Sequence, residues 1–205
     1  GDIYGDVRRY PGAYAAVIAV GAMDWSFRPA YFSNYGSCVD ITAPGGDAYT
    51  SGTKDNYGMI LSTILCDDAI NFQGGPRSGY GFMQGTSMAC PHVSGIAALG
   101  LAYAAQNGKK YSPAEFKALL LSSFYGIDDY FTGSKVYFDE NNVPMTIPDL
   151  TVYKDKMGGG CIDALKLLLA IKGTPAIYVK TGEAASVDFA RYFGGDKSVV
   201  ALASA

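Results

Sequence analysis

The chain is poor in the residues that most often announce a catalytic or metal centre: one histidine, one tryptophan and four cysteines in 205 residues. A single imidazole, His92, excludes a histidine-rich metal site and leaves little side-chain acid–base capacity near neutral pH. The cysteines Cys38, Cys66, Cys90 and Cys161 include no C-x-x-C pair, which excludes zinc-ribbon and thioredoxin-like chemistry. A Cys38–Cys66 bridge stays open, and Cys90 is expected to be a small buried hydrophobe. There is no excess of positive charge either. With 16 basic against 19 acidic residues and a net charge of −3, the chain offers no basic patch, so nucleic acid is not an expected partner. No run approaches the ~18 apolar residues needed to cross a bilayer, so no membrane span is expected, and no charged-then-apolar segment opens the chain.

What is present is apolar sequence in short, ordered pieces. A hydrophobic content of 49% is enough for one core. Residues 16–22 form an apolar run of strand length, as expected for a strand covered on both faces, and 39–42 read as a second. Ser87 to Ala105 reads as a long buried helix closed by Asn107 and Gly108. Ser112-Pro113-Ala114-Glu115 is a capping box with proline at the first helical position, and its helix turns Phe116, Leu119, Leu120 and Leu121 inward. Cys161–Ile171 reads as a third helix. After Gly173 the pattern changes to alternation, which suggests strands outside the main domain.

The segment Gly85–Gly95, G-T-S-M-A-C-P-H-V-S-G, carries the chemistry. A Gly-Thr-Ser turn running into Ala89, Val93, Ile96 and Ala97 puts Ser87 at the positive end of a helix dipole, with its own N–H turned the same way. An acyl-transfer nucleophile needs that arrangement, because the developing oxyanion is met by N–H donors already in place. Pro91 is expected within the first turn, where a missing N–H costs nothing. Ser87 and His92 are five residues apart, about 140° around a helix, so His92 is not the base for Ser87. It reads instead as a buried histidine bonded to backbone.

This segment resembles the nucleophile region of subtilisin-like serine proteases. Tyr10–Ala22 (Y-P-G-A-Y-A-A-V-I-A-V-G-A), Phe32–Gly36 (F-S-N-Y-G), Asp40–Gly45 (D-I-T-A-P-G), Met59–Leu65 and Gly158–Ala164 (G-G-G-C-I-D-A) are similar to later segments of that family, in order. The resemblance covers about residues 7 to 172 and implies an α/β fold, three layers around a mostly parallel sheet, present here as the C-terminal half only. Residues 1–172 would be the peptidase portion and 173–205 a β-rich tail or the start of an appended module. The family's catalytic Asp, catalytic His and oxyanion Asn segments lie upstream of these matches and are expected to be missing from this chain. The implied activity is serine endopeptidase chemistry through an acyl-enzyme on Ser87, with this chain inactive alone; a non-catalytic scaffold protein on a degenerate protease fold is the alternative.

Further expectations follow from the resemblance. Arg9 falls at the base of the primary specificity pocket, where it would pair with an acidic substrate side chain, fill the pocket, or lie exposed on the surface. The carbonyls of Gly12, Tyr14 and Val17 match a site that holds a weakly bound Ca²⁺ or monovalent cation; no cofactor is required. The implied partners are a polypeptide substrate and either the missing N-terminal half or a second copy of the chain. The implied location is extracellular or the cell envelope. Two regions exceed the family pattern: residues 47–84, which would either shape substrate access or form a surface excursion, and 124–157, whose Asp139-Glu140-Asn141-Asn142 cluster lacks calcium-loop spacing and reads as a solvated turn.

Overall fold

The computed structural model describes residues 10–64, 79–139 and 141–173. In chain order its elements are β1 (Val20–Met23), β2 (Ile41–Pro44), β3 (Ile60–Thr63), β4 (Tyr80–Met83), α1 (Thr86–Gln106), α2 (Pro113–Ser122), β5 (Phe124–Tyr125), β6 (Lys135–Phe138), β7 (Pro144–Ile147), β8 (Cys161–Ile162) and α3 (Ala164–Lys172). The central sheet runs β1-β2-β8-β5; β2 is parallel to both of its neighbours and β5 is antiparallel to β8. Two antiparallel pairs, β3–β4 and β6–β7, stand apart from it.

Strand alternation sends successive side chains to opposite faces, and each face has its own core. On one face Ala22, Ile41, Ala43 and Ile162 meet Ala89 and Val93 of α1, Phe116 and Leu120 of α2, and Leu167 and Ile171 of α3. On the other, Met23 and Cys161 meet Ile127, Phe131, Leu150, Tyr153 and Met157. All five of those partners come from the long 124–157 segment. β1, Val-Gly-Ala-Met, and β2, Ile-Thr-Ala-Pro, need no polar face because both sides are covered. Among the described residues the second covering layer is made of 3-10 turns and loop, while the three helices share the first face.

Several local expectations hold in detail. Ser112 caps α2 by accepting from the Glu115 N–H while the Glu115 carboxylate accepts from the Ser112 N–H, at 3.3 and 2.7 Å. Those bonds, backbone first, hold the Glu115 carboxyl below its usual range. Phe116 and Leu120 are buried, with Leu119 and Leu121 partly so. The Asp139 cluster is a turn: the carboxylate of Asp139 accepts from the N–H groups of Asn141 and Val143 at 2.9 and 2.8 Å.

Others are corrected. β1 begins only at Val20, and β2 is Ile41–Pro44 rather than 39–42. Cys161 lies in a strand, because Asp163 caps the following helix by accepting from the Lys166 N–H at 2.8 Å, so α3 starts at Ala164. Pro91 falls in the second turn of α1, since the helix begins at Thr86, and there its missing N–H leaves the Ser87 carbonyl without the usual helical donor. Cys90 and His92 are exposed rather than buried; of the expected histidine reading, only the backbone bond survives, with His92 Nδ1 2.8 Å from the Met88 carbonyl oxygen. Cys38 is a free thiol, so the Cys38–Cys66 bridge does not form; Cys66 itself lies outside the described residues. The expectation of no long apolar run also fails. α1 has 21 residues without an Asp, Glu, Lys or Arg, long and apolar enough to cross a membrane. It packs instead on β1, β2 and α3, as a core helix does.

An ion cluster ties the second layer to the first. The Lys135 ammonium, on β6, lies 2.9 Å from Asp24 and 2.6 Å from Asp47, and it donates to the Pro29 carbonyl. All three charged side chains are at most 1% exposed. Asp24 also accepts from the N–H groups of Ser26 and Arg28, and Asp47 from those of Tyr31 and Tyr49. The loops after β1 and β2 and the β6–β7 hairpin therefore converge on one buried ammonium.

Candidate active site

Ser87 is the second residue of α1 and is exposed. Gly85 precedes the helix with φ 151° and ψ 162°, a backbone conformation open essentially to glycine alone. The turn is fixed to the end of the sheet by two bonds: the Gly85 N–H donates to the Gly45 carbonyl at 2.9 Å, and the Gly45 N–H donates to the Met23 carbonyl at 3.1 Å. Gly45 must itself be small, since a Cβ there would lie 2.5 Å from the Ala22 Cβ and 2.8 Å from the Gly85 oxygen. The sheet thus positions the nucleophile turn through backbone, not through side-chain packing.

The Ser87 hydroxyl has no hydrogen-bond partner among the described residues. His92, the chain's one histidine, is engaged with the Met88 carbonyl of its own helix. Around Ser87 opens a groove of about 840 Å³ lined by Ile18, Ala19, Val20, Cys38, Cys90 and Pro91, among others. One wall is thus the approach to β1, an edge strand of the sheet as described, and the other is the first turns of α1.

The remaining sequence-derived site residues separate from one another. Arg9 lies outside the described residues. Of the three carbonyls expected to face a cation, that of Val17 accepts from the Lys117 ammonium at 3.0 Å, alongside the Ala15 carbonyl at 2.8 Å, and that of Tyr14 accepts from the Val17 N–H at 2.9 Å. Lys117 sits a hundred residues away on α2, and no local pattern around Gly12–Val17 points to it. Among the described residues no three His, Cys, Asp or Glu side chains gather as metal ligands.

The architecture is that of an α/β domain in which a glycine turn at the end of β2 is locked to a second glycine turn that presents an exposed serine at a helix start. The chain belongs to the subtilase family, Peptidase S8, whose family model matches residues 3–152. It is 39% identical over 132 residues to an extracellular basic protease of Dichelobacter nodosus, covering 63% of this chain and 19% of that protein. It is 47% identical over 89 residues to a thermophilic serine proteinase of Bacillus sp. strain AK1, covering 43% of this chain and 16% of that one. Among solved structures, a protease from Pseudoalteromonas arctica superposes with a TM-score of 0.53 at 28% identity, over 79% of this chain and 38% of its own. The chain therefore spans about a fifth of the curated relatives it matches.

Proposed function

We propose that this chain is the nucleophile-bearing portion of a serine endopeptidase, and that Ser87 attacks the peptide carbonyl to form an acyl-enzyme. The observation that carries this is the exposed Ser87 at the start of α1, behind a Gly85 held in a glycine-only conformation by the end of the sheet, in a chain of the subtilase family. In the first turn of α1 the Met88 and Ala89 N–H groups donate to the Gly85 carbonyl, while that of Ser87 has no backbone acceptor among the described residues and is available to the oxyanion. His92, the chain's one histidine, is not the base in this reading, because it sits about 140° around the same helix from Ser87 with its Nδ1 tied to the Met88 carbonyl. A histidine oriented by an aspartate, and an asparagine completing the oxyanion site, come from an N-terminal half of the domain.

The same half is the partner we infer for the open surfaces. Leu99 and Leu101 of α1 are 49% and 50% exposed, β1 is an edge strand of the sheet as described, and the groove at Ser87 opens beside the start of β1 and the first turns of α1. Covering the exposed half of each leucine would contribute about half of the roughly 1.5–3 kcal/mol of full burial, so about 1.5–3 kcal/mol for the two together, a sizeable share of a domain's net stability. The expected state is association with that half or with a second copy; a monodisperse, cooperatively folding monomer in sedimentation at micromolar concentration would contradict it. A cation at Gly12, Tyr14 and Val17, if bound, is held weakly, since Lys117 already brings positive charge to the Val17 carbonyl. We place the protein outside the cell or in its envelope, by analogy with the extracellular relative, although proteases named as intracellular also match.

The test is covalent labelling. A fluorophosphonate probe should modify Ser87 once the N-terminal half is supplied, and the labelling should disappear in Ser87→Ala. Strong labelling of this chain alone would show that it has a base after all. A folded, assembled protein that never labels would favour the non-catalytic scaffold.

A further inference from the structure

A second cleft, of about 870 Å³, lies beside the nucleophile turn, and apart from Tyr31 its walls come from the two segments that exceed the family pattern. Tyr31, Tyr49 and Phe138 supply three rings, and Met59, Met83 and Gln84 complete much of the lining. Gln84 fixes the cleft to the end of β4: its side-chain oxygen accepts from the Ala48 N–H at 2.7 Å, and its amide nitrogen donates to the Tyr31 hydroxyl at 3.2 Å. Gln84 is also three residues before Ser87. Consecutive Cα atoms are about 3.8 Å apart, so the two residues are separated by at most about 11 Å, the span of about three residues of extended peptide.

The rings are held by the buried ion cluster. Asp47 accepts from the N–H groups of both Tyr31 and Tyr49, and Lys135, which pairs with Asp47, begins the strand that ends in Phe138. Tyr137 stacks on Tyr31 with centroids 4.7 Å apart, and Phe138 lies 5.6 Å from Tyr49. The lining carries one ammonium, Lys54, and one carboxylate, Asp139, whose charges cancel, and its rings and thioethers are flanked by the amides of Asn56, Gln84 and Asn142. Aromatic rings meet one another favourably at centroid separations of 4.5–7 Å, and methionine sulfur adds to such contacts.

We propose that this cleft is a side-chain subsite for the substrate polypeptide, selecting an aromatic residue within about three positions of the scissile bond. The inference rests on the endopeptidase reading of Ser87. It makes the β6–β7 hairpin a specificity element, clamped by Lys135 so that Phe138 closes one wall.

The experiment uses this chain assembled with its N-terminal half and peptides varied one position at a time, from three residues before to three residues after the cleaved bond. At one of these positions, Phe or Tyr should exceed Ala by about tenfold in kcat/KM, as expected for one well-packed ring. Phe138→Ala should bring that ratio to within about twofold, and Phe138→Leu, which keeps bulk but no ring, should lie between. Equilibrium binding of the Phe and Ala peptides to the Ser87→Ala protein should show the same ratio and the same loss. The binding arm separates the two readings. If Ser87 never labels and nothing is cleaved, the endopeptidase reading fails, while the binding ratio still decides the subsite. No aromatic preference in either arm, or a ratio unchanged by Phe138→Ala in a protein with unaltered melting, would overturn the proposal.

Discussion

Replacing Lys135 with methionine keeps most of the side-chain volume and removes the charge from the buried cluster. The Lys135 ammonium lies 2.9 Å from one oxygen of Asp24 and 2.6 Å from one of Asp47, so those two oxygens can be no more than about 5.5 Å apart. With the ammonium gone, two carboxylates face each other at that distance, and at an effective dielectric of about 20 their repulsion is about 3 kcal/mol. The lost bond to the Pro29 carbonyl adds to it, so Lys135→Met should destabilise by about 3–5 kcal/mol, as for other broken buried pairs. The structure also says which second change should compensate. One oxygen of Asp24 already takes both the Ser26 and Arg28 N–H groups, so Asp24→Asn can keep those bonds with its amide oxygen and lose the repulsion, giving up only the attraction of the Arg28 guanidinium 3.6 Å from the other oxygen. Asp47 uses both oxygens for backbone N–H groups and cannot be replaced as cheaply. Lys135→Met with Asp24→Asn should therefore recover about 2 kcal/mol over the single variant. Urea titration followed by far-UV circular dichroism reads the whole molecule, and Trp25, the chain's one tryptophan, reports beside Asp24. A single variant costing under about 1 kcal/mol, or a pair no more stable than the single, would refute the electrostatic account.

The other predictions concern the nucleophile turn and the buried thiol. Gly45→Ala should displace Gly85, because the added Cβ meets fixed backbone and the Ala22 Cβ; Ser87 labelling by a fluorophosphonate should fall at least tenfold, with a stability loss of about 1–3 kcal/mol seen in the same melts. In alkylation mapped by mass spectrometry, Cys90 should react well before Cys161, whose thiol is pushed up to about 12, chiefly by burial and then by Asp163. Tyr153 is likewise pushed up to about 12 by burial, with Tyr35 next in effect. Both groups stay neutral in the fold at pH values where the unfolded chain loses the proton. Their stabilisation is thus complete below pH 9 and declines between about pH 9 and 12, by about 1.4 kcal/mol per pH unit for each group in its window. Chemical denaturation across that range should show the decline, and Cys161→Ala should lessen it.

Much of the fold is legible in the chain because it rests on short-range rules. The capping box at Ser112, the Asn107-Gly108 close of α1, the apolar strands and the Gly-Thr-Ser turn each depend on residues within a few positions, and each is found where its local pattern places it, within a few residues. Ser87 was legible for the same reason: a glycine followed by a helix with small inward residues is a local construction. The errors share a cause as well. Cys90 and His92 were expected to be buried because α1 is apolar all round, yet an apolar helix is buried only where something covers it, and among the described residues α1 has cover on one side.

Sequence by itself determined the order of elements and the family, which follow from pattern, and the place of Ser87 at a helix start, which follows from a contiguous motif. Only the tertiary structure decided what the long 124–157 segment does. It forms the second face of the sheet through Phe131, Leu150, Tyr153 and Met157, and through Lys135 it joins Asp24 and Asp47, each more than eighty residues away. It also decided that the Val17 carbonyl faces Lys117 and that Tyr31, Tyr49 and Phe138 line one cleft. Such contacts link residues that no local periodicity relates. Their energies come from burial and charge at distances set by the whole fold, and so they become visible only once the chain has closed on itself.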